Sequence, residues 1–181
     1  MAEPTYLPLL NSIAVNEAKG EELLAAWADA TPDKELAECL RFVSIREGEH
    51  AMAFTKRMCE LGYPVNEATA FQVFKDFDKT LAIVKSNASD AEKIRKLTGD
   101  RPREEGERKD PFVGFFKDQT IDPQTGALLG RYIAEERDSG RRLEAAYAKV
   151  SGGGMGKSEI AELRGAIEAL CAEVAALRKA S

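Results

Sequence analysis

The single histidine of the chain, His50, follows Glu47 by three residues in the run Arg46-Glu47-Gly48-Glu49-His50. On a helix that spacing puts both side chains on one face. An imidazole nitrogen beside carboxylate oxygens is a ligand mix suited to iron or manganese, with zinc a further option. The pair alone is weak evidence. With 21 glutamates among 181 residues, a Glu stands at that offset from a lone His by chance about one time in nine.

Register strengthens it. The apolar stripe Leu36, Leu40, Val43 continues through positions 47, 50 and 54, so Glu47 and His50 take inward slots between Val43 and Phe54. In the preceding segment the stripe Ile13, Gly20, Leu24, Trp27 passes through Glu17. In a later one the stripe Leu129, Tyr132, Leu143 passes through Glu136. Three carboxylates and the only imidazole thus interrupt three otherwise apolar faces. Burying ionised carboxylates without partners costs several kcal/mol each, on the order of a domain's whole stability. Protonation, an ion pair or a bound cation can offset that cost. No Arg or Lys lies on these stripes, although Arg46, Arg137 and Arg141 stand beside them. A divalent metal held by Glu17, Glu47, His50 and Glu136 is therefore the simplest expectation.

The elements that must position these groups read as helices throughout. The first runs from about Pro8 to Ala30. Thr31-Pro32-Asp33 makes a short turn, with Thr31 or Asp33 as the N-cap of the next helix. That second helix ends at Gly62, with Pro64 just beyond. So short a turn requires an antiparallel hairpin. Glu17 lies 14 residues before Thr31 and Glu47 lies 16 after it, which is ~21 and ~24 Å from the turn at 1.5 Å per residue. The two carboxylates can meet.

A third helix is expected between about Thr69 and Lys85, with Phe74, Phe77, Leu81 and Val84 inward. A short one follows from the capping-box pattern Ser89-Asp90-Ala91-Glu92 to Leu97. The charged, aperiodic stretch 98–110 reads as a loop. Asp122-Pro123 opens a long helix to about Val150.

After SGGGMGKS, the positions Ile160, Leu163, Ile167, Leu170, Val174 and Leu177 form a heptad. β-Branched residues at a with leucine at d favour a parallel two-stranded coiled coil, hence a homodimer; a last helix folded back on its own domain is the alternative. The glycine run matches a phosphate loop only in part, since Ser151 replaces the first glycine and no strand precedes it. A linker is the better reading. Tyr132, one turn before Glu136, and Trp27 are read as core residues, and Cys39 and Cys59 as small fillers.

A Glu on one helix, Glu-x-x-His on the next and a Glu on a later long helix together resemble the ferritin-like carboxylate-bridged metal proteins. The segment FVSIREGEHAMAFTKRMCELGY is particularly similar to the second helix of that superfamily, which includes the rubrerythrins. The likeness covers about residues 8–150. It implies an all-α, antiparallel four-helix bundle, here with a C-terminal coiled-coil helix. Its domains would be a bundle over 1–150, a linker over 151–157 and a heptad helix over 158–181. It also implies Glu17 as a terminal ligand, His50 as the nitrogen ligand, Glu47 and Glu136 as bridges, iron as the first metal, and redox chemistry toward oxygen or peroxide. Two departures weaken the second half of the site. Ser139 stands where a second Glu-x-x-His would place its histidine, and no Glu lies on the inward face of the third helix. The competing expectation is a non-catalytic oligomeric protein whose degenerate, metal-free site is a buried hydrogen-bonded network. The residues assign neither a catalytic group nor an electron partner.

Composition bounds the rest. The chain is 44% hydrophobic and 31% charged, with a net charge of −5, a balance that gives no footprint for nucleic acid or an acidic membrane surface. No apolar run is long enough to span a bilayer. MAEPTYLPLL lacks the pattern of a secretory leader, and three scattered cysteines suit a reducing compartment, so cytoplasm is expected.

Overall fold

The computed structural model describes residues 3–74, 76–98 and 111–151. The heptad helix, nearly all of the glycine linker and all but Thr98 of the charged stretch 98–110 lie outside them. Among the described residues there are five α-helices and no strand: α1 (Leu7–Ala30), α2 (Lys34–Glu60), α3 (Phe77–Lys85), α4 (Asp90–Thr98) and α5 (Pro123–Val150). Short 3-10 helices occupy Glu67–Thr69 and Pro111–Lys117.

The starts of α2 and α5 are set by side-chain caps read directly from the sequence. Asp33 caps α2 by accepting from the Leu36 amide at 2.8 Å, so Thr31 is free to close α1 with its own amide on the Trp27 carbonyl. At the far end of α2, Gly62 adopts φ +86°. Its amide reaches the Cys59 carbonyl while the Tyr63 amide reaches that of Met58, a Schellman closure that only a residue tolerant of positive φ completes without strain. Asp122 caps α5 through the amides of Gln124 and Thr125, with Pro123 in the first turn.

Contacts at the two ends fix helix direction. At one end the Tyr6 hydroxyl and Arg57 Nη2 both donate to Asp122 Oδ2, at 2.8 and 2.9 Å. They gather the start of α1, the end of α2 and the start of α5. At the other end Trp27 stacks on Tyr147 with centroids 5.4 Å apart, and Lys149 pairs with Glu35. α5 therefore runs antiparallel to α2 and in the same sense as α1.

The path between α2 and α5 departs from the sequence expectation. The helix expected from Thr69 begins only at Phe77, and residues 66–73 run along α1 instead. Their backbone is engaged by two buried asparagines. Asn11 donates to the Asn66 carbonyl (2.9 Å) and accepts from the Asn66 amide (2.8 Å). Asn16 donates to the Phe71 carbonyl (2.7 Å) and accepts from the Val73 amide (3.0 Å), and Ser12 accepts from the Phe71 amide. Side-chain groups on α1 supply the partners that a helix would have provided internally. The chain climbs back along α1 until Asp90 meets Trp27 and Thr31. α4 starts there, and by Phe112 the chain has returned to the opposite end.

Burial divides the interior in two. One cluster holds Leu10, Ile13, Phe54, Met58, Leu129 and Tyr132; the other holds Leu24, Trp27, Leu40, Val43, Ile94 and Tyr147. Glu17 on α1, Glu47 and His50 on α2 and Glu136 on α5 fall in the gap between these clusters, whereas the buried Asn11, Arg57 and Thr125 lie beside the first.

Candidate metal centre

The gap is a belt of carboxylates around His50. α1 contributes Glu17, one turn past Ile13; α2 contributes Glu47 and His50, between Val43 and Phe54; α5 contributes Glu136, one turn past Tyr132. Glu17, His50 and Glu136 are all buried, and one donor atom of each lies within 4.8 Å of the others. His50 Nδ1 is 3.1 Å from Glu17 Oε2 and 3.5 Å from Glu136 Oε1. The Tyr132 hydroxyl donates to the other Glu17 oxygen at 2.9 Å, and its ring meets the imidazole edge-on.

Glu47, the fourth residue expected at the site, is half-buried and outside that tight group. Its carboxylate lies over Gly20 of α1, where a Cβ would fall 2.5 Å from Oε2. The glycine is what lets the carboxylate enter. The relation is reciprocated: the exposed Glu21 covers Gly48 of α2, where a Cβ would meet its carboxylate at 2.6 Å.

Two residues outside the expected ligand set belong to the site: Glu135, which with Asp138 the sequence offers only for a rotated α5, and Arg46, which stands beside the stripe. Glu135 Oε2 stands 2.8 Å from His50 Nε2, and its other oxygen, Oε1, accepts from Arg131 Nε at 3.0 Å. The imidazole thus has one nitrogen toward Glu17 and Glu136 and the other on a carboxylate anchored at the surface. Arg46 reaches around α2, and its Nη1 donates to Ser139 Oγ, Asp138 Oδ2 and the Glu135 carbonyl, each at 3.0 Å. Adjacency of Glu135 and Glu136 was the available signal for the first. A consecutive pair straddles the edge of a helical face, and only the rotation of α5 decides which member points inward.

Electrostatics follow from this crowding. Burial raises the Glu17 pKa to about 7, reinforced by the charge of Glu136 and opposed by the hydrogen bonds from His50 and Tyr132. Glu47 is raised well above the ordinary carboxylate range by burial, by the charges of Glu17 and Glu136 and by a hydrogen bond shared with Glu17; the Arg46 charge opposes this. Burial alone favours a neutral His50, but the carboxylates of Glu136, Glu17 and Glu135 outweigh it and bring the imidazole to about 10. Without a bound cation, the belt holds its carboxylates together by retaining protons.

A divalent cation fits this donor set. Among the described residues, Glu136 Oε1 is buried with no hydrogen-bond partner, an arrangement that costs about 1–3 kcal/mol unless something else satisfies the oxygen. Ligands around a small divalent ion stand about 2.0–2.2 Å from it, so opposed donors are about 4 Å apart. Small side-chain rotations close a set already within 4.8 Å. The opposite half of the belt does not offer a comparable set. Ser139, one turn beyond Glu136, is buried and already occupied by the Arg46 guanidinium. No protein-family model, curated protein or solved structure shows significant similarity to the chain.

Proposed function

We propose that the chain is a ferritin-like helical-bundle protein that binds one divalent metal through Glu17, His50 and Glu136, with Glu47 beside them. The observation that carries this reading is the Glu136 oxygen left without a hydrogen bond, buried 3.5 Å from an imidazole nitrogen and beside a second carboxylate. Three features support the bundle assignment: the α1–α2 hairpin, the return of the chain along α1, and an α5 antiparallel to α2. Carboxylates with a single imidazole favour iron or manganese, with zinc as the redox-inert alternative.

Each protein group then has a definite task. Glu135 accepts the Nε2 proton, fixing the tautomer that turns the Nδ1 lone pair toward Glu17 and Glu136. Tyr132, kept as a neutral phenol far above its usual titration range by burial and the surrounding carboxylates, orients Glu17 through its hydroxyl. The two apolar clusters shield the belt from bulk water, which strengthens every charge interaction inside it. A bound iron or manganese would supply one-electron chemistry toward oxygen or peroxide.

A second reading has its own support. Both His50 nitrogens already face carboxylates at hydrogen-bonding distance, so a doubly protonated imidazole can hold the belt together as a metal-free structural network. Elemental analysis of gently purified protein separates the two. The metal reading expects close to one equivalent of iron, manganese or zinc, lost in His50→Ala and in Glu136→Ala. Metal content that is the same in wild type and both variants, or absent from all three, leaves the network reading standing.

A further inference from the structure

A fixed cation, the Arg46 guanidinium, is held against α5 one turn from Glu136. α2 presents Glu47 and His50 three residues apart. α5 presents Glu136 and Ser139 at the same spacing, and Ser139 is as deeply buried as His50. Where an imidazole on α5 would project, the Arg46 guanidinium lies instead, 3.0 Å from Ser139 Oγ, from Asp138 Oδ2 and from the Glu135 carbonyl. Three acceptors on one turn of α5 fix its position. The Phe42 ring packs on its outer side with the guanidinium carbon 4.7 Å from the centroid, so the group is clamped between an aromatic face and the helix. Its side chain is only 15% exposed, and unlike lysine it cannot shed its charge.

We infer that Arg46 is the resident second cation of the belt, so that the centre admits one metal ion at Glu17–His50–Glu136 and excludes another from the Glu47–Ser139 side. A fixed positive charge there does two things. It favours the ionised form of the neighbouring Glu47. It also repels a divalent ion from the same space, which the guanidinium fills sterically as well. Ser139 is part of the device, because its small side chain leaves room for the guanidinium and its oxygen accepts one of the guanidinium hydrogen bonds.

This inference rests on the metal-site reading, and the experiment separates the two. Metal-free protein is titrated with Mn²⁺ at neutral pH, with free Mn²⁺ read by electron paramagnetic resonance. Wild type is expected to saturate at one equivalent. Ser139→His alone should remain at one, because the guanidinium still holds the space. The double variant Arg46→Met/Ser139→His should take two. Two equivalents in wild type or in Ser139→His overturn this inference alone, as does a single equivalent in a double variant whose helical circular dichroism is native. No binding in wild type overturns the metal reading and this inference with it. If the double variant does not fold, Arg46→Met by itself decides. Removing a nearby like charge should tighten the single Mn²⁺ several-fold, whereas a role limited to tethering α2 to α5 leaves affinity unchanged or weakens it, either of which refutes the inference.

Discussion

The protons held by the belt make its stability depend on pH in a direction opposite to that of ordinary surface ion pairs. His50 is raised from 6.5 to about 10 in the folded chain, so its contribution is complete below pH 6.5 and is lost as pH rises toward 10. Glu17 is raised from 4.5 to about 7. The folded state then binds more protons than the unfolded state between those values, and stability again falls as pH rises. Asp138, lowered to about 2 by hydrogen bonds from Arg142 and Arg46, acts oppositely but only in acid, since its contribution is lost below about pH 4. Metal-free protein is therefore expected to melt at a lower temperature at pH 8.5 than at pH 5.5. Metal reverses this, because its ligands must be deprotonated, so the rise in Tm on adding Mn²⁺ should be larger at pH 8.5. Equal Mn²⁺-induced shifts at both values, measured by calorimetry, would show that binding does not displace these protons. A flat metal-free profile would show that His50 and Glu17 titrate as they do in an unfolded chain.

At the scale of elements, what was legible in the sequence and what was not divides along one physical line. α1, α2 and α5 are long and carry continuous apolar stripes, and α2 and α5 start at local side-chain caps, so their register could be read, and with it the inward positions of Glu17, His50 and Glu136. The segment 66–73 could not be read this way. Its conformation is set by Asn11, Ser12 and Asn16, which lie more than fifty residues away in sequence. Neither asparagine announces that its amide will bind backbone rather than solvent. Asn16→Ala leaves the Phe71 carbonyl and the Val73 amide without these partners and should cost about 1–3 kcal/mol in urea denaturation; a change below about 0.5 kcal/mol would mean that this stretch finds its partners elsewhere.

Gly20 tests the same scale from another side. A glycine within a helix is ordinarily about 1 kcal/mol worse than alanine, but a Cβ here meets the Glu47 carboxylate at 2.5 Å. The displaced group is the end of a flexible side chain, so Gly20→Ala should keep overall stability within about 1 kcal/mol of wild type. It should nonetheless alter Mn²⁺ affinity, by moving Glu47 away from Glu17. Unchanged affinity would remove Glu47 from the site.

Across the whole molecule, the described residues leave three large apolar side chains on one outer face of α2: Phe42, Ile45 and Met52 are each more than 40% exposed. The face is not bare, since the Arg46 and Arg142 guanidinium groups both lie over the Phe42 ring, and exposed apolar residues alone do not define an interface. Assembly is expected instead through the heptad of residues 158–181. About three heptads are marginal as an isolated helix in water, so that segment gains stability only by pairing or by lying on the bundle. The two choices predict different hydrodynamics. If the heptads pair between chains, sedimentation of the full chain shows a dimer, and a chain ending at Ser151 sediments as a monomer with its Mn²⁺ stoichiometry intact, because every group of the belt comes from α1, α2 and α5. If the heptad folds back, both lengths are monomeric and the shorter one melts lower. A dimer that survives the truncation excludes both, and would direct attention to α2 as the surface holding the copies together.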